Sequence, residues 1–230
     1  VPQRKPKEPS EQVKDVHALT HEPYEEWCSL CVSNRARQDP HRRQTHEGVG
    51  HSVVSFDFGY CSRMKGEEDK LTVLVIHDRD TNMCAALPTQ QKGGRSFQYL
   101  VTEMSRFIVQ TGHTELSLKC DCEPSTTSLA EAVRKACAGL RIVVHLEPTP
   151  TGDHQANGAA EAMVHVLRTK ANLLVQQIEE ATGCTKPVFG CLHPVYAWAV
   201  VHSSWLHNHF VVNKETTGYE RSTGRLYSGK

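Results

Sequence analysis

Two kinds of hydrophobic spacing divide the chain. Residues 52–60 place large apolar side chains at alternate positions, the two-residue period of a strand. Residues 71–76 form a nearly continuous apolar run and residues 83–87 a shorter one, which predicts two further strands. Because only short turns separate these three segments, we expect an antiparallel meander.

Helical spacing begins at residues 97–109, where apolar side chains recur every three or four positions. Strands and helices then alternate, with predicted strands at 115–120 and 141–146 and predicted helices at 125–138, 159–181 and 193–208. The order β-β-β-α-β-α-β-α-α predicts an α/β fold with a mixed sheet.

Composition adds little evidence about partners. The 26 Lys and Arg residues balance the 26 Asp and Glu residues, so an argument for nucleic acid must rest on local patches. No apolar stretch approaches the ~18 residues of a membrane span, and no secretory signal is visible. The nine cysteines are mostly scattered, which is a poor disulfide framework and predicts an intracellular, reducing environment.

Changes in residue composition and hydrophobic spacing divide the chain into four segments. Residues 1–15 are rich in Pro, Lys, Arg and Glu and predict a disordered tail or linker. Residues 16–46 have too few aliphatic side chains to fold on apolar burial alone, so we expect a bound metal to help. A globular core is predicted at 48–213 and a polar tail at 214–230. Because the chain begins at Val1, we expect it to be part of a longer polyprotein.

The metal ligands are predicted from two pairs. His17 and His21 lie one helical turn apart, and Cys28 and Cys31 form a Cys-x-x-Cys pair. Two imidazoles and two thiolates can complete a closed tetrahedral site for structural Zn²⁺.

Two features of residues 35–46 leave alternatives open. His41 and His46 follow the cysteines at finger-like spacing and are rivals to the first histidine pair. Arg35 and Arg37 begin a basic cluster that either binds DNA phosphates or belongs to a solvated linker.

Three carboxylates are candidate ligands for harder cations. Asp57 lies inside an apolar strand, where a carboxylate is costly without a cation or hydrogen-bond partners. Asp121 follows the strand at 115–120, and Glu161 falls in the first turn of the long predicted helix. A loop-capping role for the aspartates and a favourable helix-dipole interaction for Glu161 are the alternatives.

Several neighbours qualify this prediction. Glu147 and Asp153 are rival third ligands, but Glu161 follows an Asn-Gly turn and sits on a rigid helix. Near it on the same helix are three side chains that either meet phosphates or form a solvated surface, namely His165, Arg168 and Lys170.

Taken in order, these motifs resemble the catalytic triad of retroviral-type integrases, and the copia-type LTR-retrotransposon group in particular. The resemblance rests on Asp57, Asp121 and the run Gln155-x-Asn157-Gly-x-x-Glu161, and it extends over residues 16–227. The His-His-Cys-Cys segment is similar to the one that precedes integrase cores, although its central gap is shorter than usual. The gap between Asp121 and Glu161 is slightly longer than usual.

The resemblance implies a ribonuclease-H-like fold with a mixed five-stranded sheet, flanking helices and a small N-terminal zinc-binding segment. It implies that Asp57, Asp121 and Glu161 hold two Mg²⁺ or Mn²⁺ ions, and that Gln155 and Asn157 lie near a DNA end or simply form a turn. The implied activity is metal-dependent 3′-end processing and strand transfer of element DNA into target DNA. The implied partners are DNA and further copies of the chain, acting in the nucleus.

Three other functions remain possible on sequence grounds. An inactive or domesticated element would retain a zinc-dependent nucleic-acid-binding or interaction module. A ribonuclease H would need a further acidic residue, for which Glu103 is the candidate. A Cys-His protease is disfavoured because no cysteine lies at a strand-to-helix nucleophile turn.

Overall fold

A computed structural model describes residues 9–34, 51–63, 69–148, 158–184 and 186–228. The strands are β1 Ser52–Cys61, β2 Leu71–Asp78, β3 Cys84–Thr89, β4 Glu115–Cys120, β5 Val143–Pro148, β6 Val212–Asn213 and β7 Thr216–Thr217. The helices are α1 Glu11–Thr20, α2 Ser29–Asn34, α3 Phe97–Thr111, α4 Pro124–Gly139, α5 Gly158–Ala181, α6 Pro194–Phe210 and α7 Gly218–Thr223. A short 3-10 turn, Gly94–Ser96, precedes α3.

The central sheet has five strands in the order β3-β2-β1-β4-β5. β1 to β3 form an antiparallel meander, while β4 pairs in parallel with both β1 and β5. This arrangement confirms the mixed five-stranded sheet and the ribonuclease-H-like fold. No helix in the described ranges is long and apolar enough to cross a bilayer.

The sheet is covered on both faces. Val54, Phe56 and Phe58 of β1 pack with apolar side chains of α3 and α4 in one buried cluster. The other face packs against α5 and α6 through a second cluster that includes Cys61, Val75 and Leu167. Since side chains alternate along a strand, Asp57 belongs to the face that α5 covers.

A close contact sets the position of α5 on this face. Gly59 of β1 lies directly under Val164 of α5, where a Cβ atom would overlap the valine side chain. The absence of a side chain at Gly59 therefore lets the first turns of α5 approach β1 closely.

Two segment boundaries differ from the sequence prediction. The helix α1 begins at Glu11, inside the residues predicted as a disordered tail, because Ser10 is extended and Glu11 places a carboxylate in the first helical turn. The predicted polar tail contains β7 and α7. A reciprocal capping box between Thr217 and Glu220 begins α7. Gly218 packs against Met83, so this part of the chain is joined to the core.

Candidate active site and metal centre

Asp57 is a half-buried carboxylate on the middle strand of the sheet. Its Oδ1 accepts a hydrogen bond of 2.7 Å from the backbone N–H of Phe58. Burial raises the pKa of Asp57 to about 6, and the charges of Asp121 and Glu161 add to that rise. The charges of both other predicted carboxylates therefore reach Asp57.

Parallel pairing brings Asp121 towards Asp57. The last β1–β4 pair is Ser55 with Lys119, and the same register extended by two residues sets Asp57 beside Asp121. Thr126, in the first turn of α4, donates its hydroxyl to Oδ1 of Asp121 at 2.6 Å. A threonine at the start of α4 thus fixes the orientation of a carboxylate at the end of β4.

Glu161 reaches the site from the first turn of α5 and is exposed. It lines an open cleft of about 400 Å³ together with Asp57, and the Gly59–Val164 contact forms part of the same wall. The contact between β1 and α5 therefore determines how near Glu161 lies to Asp57.

The spacing of the three carboxylates bears on how many cations they suit. Within the described ranges, two groups of residues each offer one ligand atom per residue with these atoms within 4.8 Å of one another, and the triad of Asp57, Asp121 and Glu161 is not among them. The carboxylates are thus more widely spaced than a compact single-ion cluster. Their oxygen atoms are hard ligands of the kind that Mg²⁺ and Mn²⁺ prefer.

Cationic side chains border the carboxylates. Arg168, predicted as a DNA contact, lines the cleft with Glu161. Lys70, the residue before β2, lines the same cleft. The ammonium of Lys92 lowers the pKa of Asp57, lies 2.7 Å from the Glu123 carboxylate and sits 5.6 Å from the Phe58 ring centroid. Sequence reasoning missed both lysines.

The sequence contains a clue to the position of one of these lysines but not of the other. Lys70 directly precedes a strand that was predicted to pair with β1. Its place in the sequence could therefore have suggested that it lies near the site. Lys92 lies in the loop after β3, and only the fold brings it near Asp57.

Two other predicted DNA contacts face elsewhere. His165 and Lys170 line a separate cavity of about 270 Å³ between α5 and the N-terminal segment. Lys170 is buried, with its Nζ 2.7 Å from the Glu22 carboxylate. Lys170 is therefore paired within the fold and not placed beside Glu161, while a phosphate contact by His165 stays a prediction. Lys170 lies nine residues after Glu161, about two and a half helical turns, and so points to the opposite side of α5.

The rival acidic residues have other partners. Glu147 accepts a 2.6 Å hydrogen bond from Ser117, and its charge is not among those acting on Asp57. Glu103 pairs with Arg106 at 3.0 Å on α3, which covers the opposite face of the sheet. The remaining candidates lie outside the described residues: Arg35, Arg37, His41, His46, Asp153, Gln155 and Asn157.

The N-terminal segment gathers its four predicted ligands. His17, His21, Cys28 and Cys31 are all buried, and one ligand atom from each lies within 4.8 Å of the others. His17 Nε2 lies 3.3 Å from Cys31 Sγ, and His21 Nδ1 lies 3.6 Å from Cys28 Sγ and 3.7 Å from Cys31 Sγ. An N₂S₂ set at this spacing fits a tetrahedral zinc site.

The protonation of the histidines agrees with this use. Burial lowers the pKa of His17 and His21, which favours neutral imidazoles with free lone pairs. The Nε2 of His21 lies 3.3 Å from Gln177 Oε1. A donated N–H at that position leaves Nδ1 as the atom that faces the cysteines. Burial also raises the pKa of the Cys31 thiol to about 12, an effect that a bound cation would oppose.

This segment rests on α5. Leu173 packs with Leu30 and the two cysteines in a third buried cluster. Gln177 also donates to the backbone oxygen of Ala18 at 2.9 Å. The helix that carries Glu161 at its start therefore supports the N-terminal ligands along its later turns.

Comparison with known proteins supports the fold. No protein-family model and no curated protein matches the sequence. A chain of the simian T-cell lymphotropic virus intasome in complex with PP2A regulatory subunit B56 gamma is 14% identical over 85% of this chain, with a TM-score of 0.52. This chain covers 63% of that chain's length.

Two further solved structures are similar to this chain. They are the dimeric and trimeric forms of the HTLV-2 integrase catalytic core domain in complex with magnesium. Each is 12% identical over 75% of this chain and 96% of its own, with a TM-score of 0.48. At such identities, the likeness to the intasome chain shows that this chain shares its fold.

Proposed function

We propose that the chain is the zinc-binding segment and catalytic core of a retroelement DNA integrase, of the copia-type LTR-retrotransposon group that its motifs resemble. The observation that carries the proposal is the convergence on Asp57 of the charges of Asp121 and Glu161, within a fold shared with an intasome chain. A carboxylate with a raised pKa that faces two others is costly to a fold, and such sites are concentrated where function requires them.

The three carboxylates suit a pair of divalent cations. Asp57, Asp121 and Glu161 would supply the carboxylate oxygens that hold the ions. When bound, Mg²⁺ or Mn²⁺ ions polarise the attacking and leaving oxygens of an in-line displacement at phosphorus. The same site then serves water in 3′-end processing and a DNA 3′-hydroxyl in strand transfer.

The chain's own cations would position the substrate. Arg168 and Lys70 line the cleft beside Glu161 and Asp57, where a DNA phosphate would lie. Thr126 keeps one face of the Asp121 carboxylate occupied, so the other oxygen stays available as a ligand. The proposed partners are element and target DNA and further copies of the chain.

The N-terminal ligands are proposed to hold structural Zn²⁺. A closed N₂S₂ site uses all four positions for protein ligands, so the ion would stabilise α1 and α2 rather than act on substrate. Because these helices pack on α5, zinc would also stabilise α5, the helix that carries Glu161.

The proposal is tested by strand transfer with a duplex oligonucleotide of the element end and plasmid target, in MgCl₂ or MnCl₂. Asp57→Asn, Asp121→Asn and Glu161→Gln should each lose at least about a hundredfold in joined product, because each removes a cation ligand. Glu131→Gln, which alters an exposed carboxylate paired with Arg134 on α4, is the matched control and should join normally.

Two outcomes would count against the enzyme. Full activity of Asp121→Asn would exclude the three-carboxylate mechanism. Salt-sensitive DNA binding by the wild-type chain, without joining in either metal, would favour the alternative of an inactive nucleic-acid-binding module.

A further inference from the structure

Three polar side chains meet at the end of the sheet opposite Asp121. His51 immediately precedes β1, Glu115 is the first residue of β4, and His145 lies near the start of β5. β4 runs between β1 and β5, so the glutamate is flanked by one histidine on each side. All three side chains are exposed.

Both imidazoles direct the same kind of atom at one oxygen. Nε2 of His145 lies 2.8 Å from Glu115 Oε1, and Nε2 of His51 lies 3.6 Å from that same atom. In a tetrahedral Zn²⁺ site with bonds of ~2.0–2.2 Å, ligand atoms lie ~3.3 Å apart. The two distances therefore bracket the spacing that a single cation requires.

The packing of the rings argues against a pair of charged imidazoles at this site. The rings of His51 and His145 stack with centroids 5.0 Å apart and an angle of 17° between their planes. Two imidazolium cations stacked in this way would repel each other, and one carboxylate balances one positive charge. Neutral imidazoles whose lone pairs face a shared cation agree better with this arrangement.

From this geometry, we propose that His51, Glu115 and His145 form a second metal site, which takes Zn²⁺ or a related divalent transition-metal ion. Imidazole is a borderline ligand that these ions prefer more strongly than Mg²⁺ does, and Zn²⁺ also accepts carboxylate oxygens. Three protein ligands leave at least one position open to water or to a ligand from another molecule.

The site is separate from both centres described above. His51 and Asp57 are six residues apart along β1, about 20 Å at the rise of an extended strand. Its ligands come from the core, whereas the N₂S₂ set comes from α1, α2 and the residues beside them. A bound ion would join the starts of three strands, including the edge strand β5, and so raise the thermal stability of the core.

The experiment is a calorimetric titration with ZnCl₂ at pH 7.5 of protein that already holds one zinc equivalent. The Asp57→Asn background is used so that the carboxylate cleft does not contribute. A second equivalent should bind and raise the midpoint of thermal unfolding. His51→Gln, His145→Gln and Glu115→Gln should each weaken that second event at least about tenfold, whereas the matched control His202→Gln should leave it unchanged.

Cobalt distinguishes the two zinc sites. The first Co²⁺ equivalent should give thiolate charge-transfer absorption, and the second should give none, because the proposed ligands contain no sulfur. The proposal is overturned if the zinc-loaded protein takes up no second ion. It is equally overturned if His51→Gln and His145→Gln bind that ion as tightly as the parent protein.

Discussion

At the scale of single residues, Asp57 shows how the candidate site opposes folding. Its pKa is raised from 3.8 to about 6, so the folded chain binds this proton more tightly than the unfolded chain does. The ionised carboxylate therefore destabilises the fold at every pH above about 6, and this cost disappears below 3.8. Such a cost is tolerable where a bound cation removes it.

Asp57→Asn should accordingly stabilise the metal-free protein at pH 7.5, by about 1–3 kcal/mol for a pKa shift of this size. The measurement is denaturant-induced unfolding at pH 7.5 and again below pH 3.8, where the two proteins should become equally stable. Asp15→Asn, an exposed carboxylate on α1, is the control. A variant less stable than wild type at pH 7.5 would contradict the electrostatic account of Asp57.

Gly59 tests the contact that positions Glu161. Gly59→Ala places a methyl group against Val164, and overpacking of this kind costs about 1–3 kcal/mol. We expect lower stability and lower strand-transfer activity together, since α5 must move away from β1. Gly93→Ala, where a Cβ meets nothing within 4 Å, is the control. Adding Val164→Ala to Gly59→Ala should restore stability and activity, because it removes the overlapping side chain. An unchanged midpoint of unfolding for Gly59→Ala alone would show that α5 does not rest on this glycine.

At the scale of elements, hydrophobic periodicity was sufficient for the strands and helices of the core. The prediction of 115–120 coincides with β4, and that of 159–181 differs from α5 by one residue. Periodicity was sufficient here because each element has one face against a buried cluster. It could not assign Lys170, whose partner Glu22 lies far away along the chain.

The sequence marked some of the candidate site's side chains and not others. Asp57 was marked by its position within an apolar strand, and the four N-terminal ligands by their paired spacing. No sequence pattern indicated Lys92 or Gln177. Lys92 comes near Asp57 only when β3 has packed, and Gln177 reaches His21 only when α5 has packed. Side chains that support a ligand are therefore harder to predict than the ligand itself.

Gln177 provides the element-scale prediction, since it links α5 to the ligand His21. Gln177→Ala should weaken zinc binding by ~10–100-fold, because the imidazole loses the partner that orients it. Competition with a chromophoric chelator measures the change. The neighbour Gln176, which accepts from Asn34 rather than from a ligand, supplies the control variant Gln176→Ala. Equal zinc affinity of the two variants would refute the orienting role.

At the scale of the whole molecule, α5 is also fixed near its C-terminal end. Arg63, after β1, makes two hydrogen bonds of 2.7 and 2.8 Å to the Glu179 carboxylate. The same carboxylate accepts the backbone N–H groups of Val188 and Phe189. This pair joins β1, the end of α5 and the turn before α6.

Glu179→Gln should therefore destabilise the protein by about 3–5 kcal/mol, because it removes the carboxylate charge that faces the buried guanidinium of Arg63. The Arg63 hydrogen bonds lower the pKa of Glu179 from 4.5 to about 2. Its contribution is thus fully present above pH 4.5 and is lost as the pH falls towards 2. Urea unfolding between pH 7 and pH 3 measures this, and Glu131→Gln is the exposed-pair control. A difference from wild type that does not shrink towards pH 3 would contradict the assignment.

The three buried clusters found among the described residues should depend on the proposed zinc ion to different degrees. The two clusters that cover the sheet contain none of the four N-terminal ligands, whereas the third contains Cys28 and Cys31 and contacts the core through Leu173. Removing zinc with a chelator should therefore increase hydrogen exchange throughout α1 and α2 while β1 and β4 stay protected. Cys28→Ser should reproduce this pattern, and Cys137→Ser, at a buried cysteine of the first cluster, should not. Loss of protection in β1 on chelation would mean that the core and the zinc segment unfold as one unit.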